Sequence, residues 1–255
     1  MSGMTTARTA LVIGGASGIG LATAHALAAD DFRVVIADIN ETAAAAAAAA
    51  LGASASSIAM DVTDEASVAA GFAGVENLHA VVSCAGLSMI GPLTDLELAN
   101  WQLTIDVCLT GTFLVLKHAG QRIADGGSIT CIASLNGRQP GTGMGAYCAA
   151  KAGVLKLVEV AALELAERQV RVNAISPGLV DTPLVAGIAL VPGLTEDYLA
   201  NTPLGRSGRP EEVADMAAFL ASGKAAWMTG STVDLNGGAH LRSYPDVLGH
   251  VRAMM

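Results

Sequence analysis

The chain has 255 residues, of which 52% are hydrophobic and 15% charged, with 14 lysines and arginines against 23 aspartates and glutamates and a formal net charge of −9 at pH 7. That length suits one α/β domain with a full core, and an acidic chain without a concentrated basic tract is a poor partner for nucleic acid. No stretch combines the length and flanks of a membrane span or of a secretory signal, so a cytoplasmic protein is expected.

In chain order, Thr9 to Ile13 reads as a short apolar strand, followed by the turn Gly14, Gly15, Ala16, Ser17, Gly18, Ile19, Gly20 and the helical pattern Leu21 to Ala29. A strand, glycine turn and helix in that order let the backbone approach a pyrophosphate, whose charge is met by N–H groups at the helix N-terminus. Gly14, Ser17, Gly18, Ile19 and Gly20 are therefore candidate cofactor contacts. Their G-x-x-x-G-x-G spacing differs from the G-x-G-x-x-G fingerprint, and an ordinary glycine turn has the same composition. The next strand, Arg33 to Ala37, ends at Asp38, about 20 positions beyond the turn, where a carboxylate accepts hydrogen bonds from the adenosine ribose and repels a 2′-phosphate. With no arginine directly after it, Asp38 favours NAD over NADP, and Asp38 and Ile39 are both candidate cofactor contacts. The other use of Asp38 is as a loop carboxylate capping the helix that begins near Glu41. Ala43 to Ala50 reads as an alanine helix.

Further strands are expected at Ser57 to Asp61, Ala80 to Ser83, Ser128 to Ile132, Arg171 to Ile175 and Thr232 to Leu235, most of them separated by helical stretches. This alternation predicts a single-domain Rossmann-type α/β fold over residues 1–238, a doubly wound parallel sheet with helices on both faces. The helical region Leu96 to Ala124 contains Gly111 and is expected to bend or break near Cys108. Residues 179–203 are expected to form a substrate lid. Residues 239–255 are a tail that either reaches the active site of a neighbouring subunit or hangs free.

In the helical stretch Ala146 to Arg168, Tyr147 and Lys151 lie one turn apart on one face. A free tyrosine, with a pKa of roughly 10, is a poor base at neutral pH, and a nearby cation favours its phenolate. Ser134 ends the strand-like run Ser128 to Ala133, where its hydroxyl could hold a substrate oxygen while Tyr147 takes the proton. Y-x-x-x-K also arises by chance on helices, so the pattern counts only in context.

Taken together, these motifs resemble the classical short-chain dehydrogenase/reductase family from about Thr9 to Gly238. Asp61 and Val62 match its adenine-contacting pair, and Ser83, Cys84, Ala85 and Gly86 stand at its N-N-A-G turn. Pro177, Gly178, Val180 and Thr182 match its P-G-x-I-x-T segment on the nicotinamide side, and Asn236, Gly237 and Gly238 stand at its D-G-G. The resemblance implies that these segments hold NAD, that Tyr147 and Lys151 also touch it, and that Ser134, Tyr147 and Lys151 are catalytic. The family's fourth catalytic residue, an asparagine, falls on Cys108 in the run Val107 to Phe113. A thiol cannot copy a carboxamide, so a proton relay there runs through a main-chain carbonyl or is impaired. A homotetramer or dimer is implied as well.

Leu135, Met144, Leu184 and Val185 are candidate substrate contacts. With Leu87, Met89, Ile188, Leu190, Val191 and Leu194, they either line a hydrophobic substrate site or pack the lid against the body. Arg138 could bind a carboxylate or face solvent. Cys84, Cys108, Cys131 and Cys148 lack C-x-x-C spacing, which indicates no metal site; they are either small buried hydrophobes or thiols that sensitise the site to alkylation. The expected activity is an NAD-dependent oxidoreductase interconverting a small to medium, mainly apolar secondary alcohol and its ketone, with Tyr147 as general acid/base. The alternatives are an NADH-dependent carbonyl reductase and a non-catalytic NAD(H)-binding regulator. The partner expected is a small molecule, with neither nucleic acid nor membrane.

Overall fold

The apolar run near the N-terminus forms strand β1 (Thr9–Ile13), with all five residues buried, as befits a central strand covered on both faces. In the computed structural model, which describes residues 8–254, the chain continues through α1 (Gly18–Ala29), β2 (Arg33–Asp38), α2 (Glu41–Leu51), β3 (Ala55–Ala59), α3 (Glu65–Ala73), β4 (Leu78–Ser83) and α4 (Leu98–Ile105). It then runs through α5 (Gly111–Arg122), β5 (Ser128–Ile132), α6 (Gly145–Glu164), β6 (Arg171–Pro177), α7 (Leu194–Ala200), α8 (Pro210–Ala221), β7 (Thr232–Leu235) and α9 (Val247–Arg252). The first seven residues of the expected domain lie outside the described residues.

All strand pairs are parallel, in the order β3-β2-β1-β4-β5-β6-β7. The alternation of side chains along β1 divides the core. Leu11 and Ile13 pack with Phe72 of α3, Val115 of α5 and Val154 of α6, whereas Ala10 and Val12 pack with Leu27 of α1, Ala44 of α2 and Val213 of α8. Each large side chain so buried contributes roughly 1.5–3 kcal/mol. The strand order reverses between β1 and β4, which opens a crevice at the carboxyl ends of the strands.

Several boundaries differ from expectation, among them the start of β4 at Leu78, two residues before Ala80. β3 runs two residues earlier than Ser57 to Asp61, because this edge strand, half-buried and polar, takes its register from β2, with Val34 opposite Ala55 and Asp38 opposite Ala59. Asp61 is thereby left in the loop beyond, accepting the N–H (2.8 Å) and the hydroxyl (2.7 Å) of Thr63. β6 extends to Pro177, which pairs with Leu235. The expected bend near Cys108 is a π-helical turn, Asp106–Thr110, that joins α4 to α5 in one helix, Leu98–Arg122. By length and composition this helix could cross a membrane (25 residues, with an 18-residue window of mean hydropathy 1.2), although no stretch was expected to combine the length and flanks of a span. Leu114, Val115, Leu116 and Ala119 are instead buried against the sheet.

Candidate active site

Two adjoining cavities open at the carboxyl edge of the sheet, and Leu184 lines both. The larger, about 490 Å³, is lined by Gly14, Ser17, Gly18, Ile19, Gly20, Asp38, Ile39, Asp61, Val62, Ala85, Gly86 and Thr182. Its floor depends on missing side chains. Gly14 has φ +70° and a Cβ there would lie 2.8 Å from Ala85 N, while a Cβ on Gly20 would lie 2.1 Å from Gly14 O. At the N-terminus of α1, Ser17 makes no side-chain cap bond and the first turn holds no acidic residue, so that end is open to an anion.

Asp38 closes the far end. Its Oδ2 accepts the Ala16 N–H at 3.1 Å and its Oδ1 the Asn40 N–H at 3.0 Å, so the carboxylate ties β2 to the glycine turn. The cap of α2 is Asn40, which accepts the Ala43 N–H; Asp38 is not the cap. The cradle, the open helix end and the carboxylate fit a dinucleotide.

The smaller cavity, about 150 Å³, is lined by Ser134, Leu135, Met144, Tyr147, Pro177, Gly178, Leu184 and Val185 among others. Ser134 lies two residues beyond β5 and caps a 3-10 turn, Leu135–Gly137; its Oγ accepts the Asn136 N–H at 3.1 Å. Tyr147 stands in the first turn of α6. Lys151, one turn on and only 4% exposed, donates from Nζ to Ile132 O at 2.8 Å and lies 5.6 Å from the centroid of the Tyr147 ring. A buried ammonium held by a strand-end carbonyl thus sits behind the phenol.

Several expected contacts fall elsewhere. Tyr147, Pro177 and Gly178 line the smaller cavity and not the dinucleotide cleft, and Lys151 lines neither. Val180 is buried, bridges Gly208 and lines neither of the two cavities. Cys108 is fully buried and lines neither cavity. Its Sγ donates to Leu87 O (3.2 Å) and accepts from Leu87 N (3.4 Å), and its carbonyl accepts Thr112 Oγ1 at 2.7 Å. The thiol therefore ties the π turn to the loop after β4, and a Cβ on Gly86 would meet both it (3.8 Å) and Lys151 Nζ (3.7 Å). Burial pushes the thiol of Cys131 up to about 12, which makes that cysteine inert, whereas Cys84 is half-buried on the wall of the dinucleotide cleft. Arg138 is paired with Asp234 at 3.0 Å. The lid divides its apolar residues: Leu184, Val185 and Ile188 face the cavity, Leu194 is buried beneath, and Leu190 is exposed.

Sequence reasoning missed Ser88, Asn136, Tyr198, Tyr244 and Val247, all on the smaller cavity. Among the described residues the tail lies against its own chain, with Tyr244, Pro245 and Val247 on the smaller cavity. Thr142 Oγ1 donates to Asp246 Oδ1 (2.8 Å), and the His250 ring lies 3.2 Å from Asp197 of α7. One compositional signal was available, since all three tyrosines of the chain, Tyr147, Tyr198 and Tyr244, line this one cavity.

A dinucleotide cleft at the switch point of a parallel sheet, beside a serine, tyrosine and lysine cluster, defines a nicotinamide-dependent oxidoreductase of the Rossmann type. The chain belongs to the classical short-chain dehydrogenase/reductase family. Residues 14–240 match the family described as Enoyl-(Acyl carrier protein) reductase. The chain is 42% identical over 240 residues to a cis-4-hydroxycyclohexanecarboxylate dehydrogenase of Sinomonas cyclohexanicum, covering 91% of this chain and 96% of that one. It is 36% identical over 247 residues to a 2,5-dichloro-2,5-cyclohexadiene-1,4-diol dehydrogenase of Sphingobium indicum, covering 93% and 98%. A solved short-chain type dehydrogenase/reductase from Mycobacterium ulcerans superposes with a TM-score of 0.92 at 39% identity, over 96% of this chain and 94% of that one. The protein is thus an enzyme of the alcohol dehydrogenase/reductase class.

Proposed function

We propose that the protein is an NAD-dependent dehydrogenase that reversibly oxidises an uncharged, mainly apolar secondary alcohol of about the size of a substituted ring to its ketone. The observation that carries this reading is the presence of Ser134 and Tyr147 on the wall of a largely apolar cavity with no charged residue among those lining it. The Ser134 hydroxyl donates to the substrate oxygen, and Tyr147 removes the hydroxyl proton. Tyr147 acts as the phenolate, which the nearby Lys151 ammonium favours; on taking the proton it becomes the neutral phenol, and the hydride leaves the resulting alkoxide. Bound NAD supplies the acceptor for the hydride leaving the carbinol carbon. Gly14, Ser17, Gly18, Ile19, Gly20, Ala85 and Gly86 would hold it, with Asp38 on the adenosine ribose. Run in reverse with NADH, the same residues reduce the ketone.

An uncharged substrate is favoured because Arg138 is engaged with Asp234, which leaves no cation on the cavity wall to meet a carboxylate. Ser88 Oγ, buried on that wall without a protein partner, offers a bond to a second substrate oxygen. A homotetramer or dimer is part of the same proposal, supported by Leu98, Leu103, Phe113 and Leu163, large apolar side chains exposed on α4, α5 and α6. So is a cytoplasmic location, which suits four free cysteines.

The test is reduced-nicotinamide formation on cyclohexanol, 4-methylcyclohexanol and cis-4-hydroxycyclohexanecarboxylate. The neutral alcohols should be preferred, and Tyr147→Phe should lower kcat by roughly 100-fold or more. Cofactor binding without Tyr147-dependent turnover would overturn the reading, and preference for the carboxylate would overturn its substrate class.

A further inference from the structure

The smaller cavity carries a hydrogen-bonded chain that begins outside the catalytic cluster. Tyr198 OH lies 2.9 Å from Tyr244 OH, and Tyr244 OH donates to Asn136 Oδ1 at 3.0 Å. The Asn136 N–H in turn donates to Ser134 Oγ at 3.1 Å. We propose that Tyr244, brought in by the C-terminal segment, is a positioning residue that acts through Asn136 to aim the Ser134 hydroxyl into the cavity. This rests on the reading of Ser134 as the group that holds the substrate oxygen.

Counting protons gives the direction of each bond. Asn136 Nδ2 donates to Gln139 O at 3.2 Å, which turns Oδ1 towards Tyr244 and Ser134. Tyr244 has one proton and three acceptors in reach, the Tyr198 hydroxyl at 2.9 Å, Asn136 Oδ1 at 3.0 Å and Met144 Sδ at 3.3 Å; the amide oxygen is the strongest acceptor of the three, and the Tyr198 hydroxyl has Tyr244 as its one side-chain partner among the described residues. Tyr198 must then be the donor between the two phenols. Ser134 Oγ, already accepting the Asn136 N–H, has one proton to place, and its only side-chain acceptor among the described residues is the same Asn136 Oδ1, 3.4 Å away. The shorter bond from Tyr244 takes one of that oxygen's two acceptor sites and leaves it a weaker acceptor for the serine. A substrate oxygen in the cavity therefore competes for the serine proton more readily than the long contact to Asn136 does.

Two segments outside the tail hold Tyr244 in place, the loop at Gly141 and Tyr198 of α7. A Cβ on Gly141 would lie 2.7 Å from the Tyr244 ring, so the ring is seated against bare backbone. Tyr198 and Tyr244 also meet edge to face with centroids 5.7 Å apart. Burial pushes both phenols above the usual tyrosine value, so they remain neutral donors wherever the enzyme works.

Tyr244→Phe keeps the ring and deletes the donor. With cyclohexanol and NAD as probes, followed in single turnovers at high enzyme concentration, it should lower the rate of the chemical step roughly tenfold. NADH affinity should stay at its wild-type value, and Tm should fall only by the few degrees expected for the loss of a buried hydrogen bond. In a Ser134→Ala background the same change should cost nothing more, because its route to the substrate has been removed; a role in packing alone would cost as much in both backgrounds. Additive losses, or a wild-type rate for Tyr244→Phe, would overturn the proposal. An unimpaired Ser134→Ala would overturn the reading of Ser134 beneath it, and that outcome is visible before the double variant is made.

Discussion

Replacing Asp38 by asparagine removes one negative charge from the dinucleotide cleft and leaves the side-chain shape unchanged. The carboxylate accepts two backbone N–H groups, from Ala16 and Asn40; an amide oxygen can keep one of them, so the stability cost should be only about 1 kcal/mol. The larger effect is on cofactor choice. Two unit charges 4 Å apart interact by about 1 kcal/mol in water and about 4 kcal/mol at an effective dielectric of 20, and a phosphate monoester carries up to about two charges. Because Asp38 is half-buried and screened by salt, the lower part of that range applies, about 2–3 kcal/mol. That corresponds to roughly 30- to 150-fold discrimination against NADP. The assay is kcat/KM for NAD and for NADP at two ionic strengths. The wild-type enzyme should prefer NAD, and Asp38→Asn should narrow the ratio by about that factor, with a weaker effect at high salt. An unchanged ratio, or a wild-type preference for NADP, would refute the reasoning.

Gly20→Ala places a Cβ 2.1 Å from Gly14 O, so NADH titration should show at least a tenfold loss of affinity; wild-type binding would contradict the cradle. Cys108→Ala leaves the Leu87 N–H and C=O without their sulfur partner and should cost about 1–3 kcal/mol in denaturant unfolding, whereas a neutral result would mean that the thiol only fills space. With its thiol near 12, Cys131 exposes about one part in ten thousand as thiolate at pH 8. Mass spectrometry after iodoacetamide should find it unmodified in the folded enzyme, and labelling at the rate of a free thiol would disprove the assignment. Tyr198 and Tyr244 stay protonated in the folded state above pH 10, while the unfolded chain releases those protons, so stability should be flat below pH 10 and fall as pH rises beyond it. Urea midpoints at pH 9 and pH 11 should differ less in Tyr198→Phe and Tyr244→Phe than in wild type.

Much of the site was legible because it is written locally. A strand that must be apolar on both faces, a turn in which a side chain would collide with backbone, and a tyrosine and lysine one helical turn apart are each specified within a few residues. The edge strand β3 was misread by two positions because its polar, half-buried sequence carries little periodicity and its register comes from β2. Cys108 drew attention as a change in chemistry, yet its sulfur spends both of its interactions on Leu87, a partner that only the packing of the π turn against the loop after β4 could reveal.

The sequence by itself determined that this chain builds a parallel sheet with a glycine-lined cleft beside a serine, tyrosine and lysine cluster, since those elements depend on short-range sterics and periodicity. Tertiary structure alone decided what closes the neighbouring cavity. The contacts concerned join residues far apart in the chain, Tyr244 to Asn136 across 108 positions and Tyr198 to Tyr244 across 46. No local propensity encodes such contacts. They form because the folded sheet presents an apolar mouth that the lid and the tail cover together, and a buried phenol in that cover must find a hydrogen-bond partner.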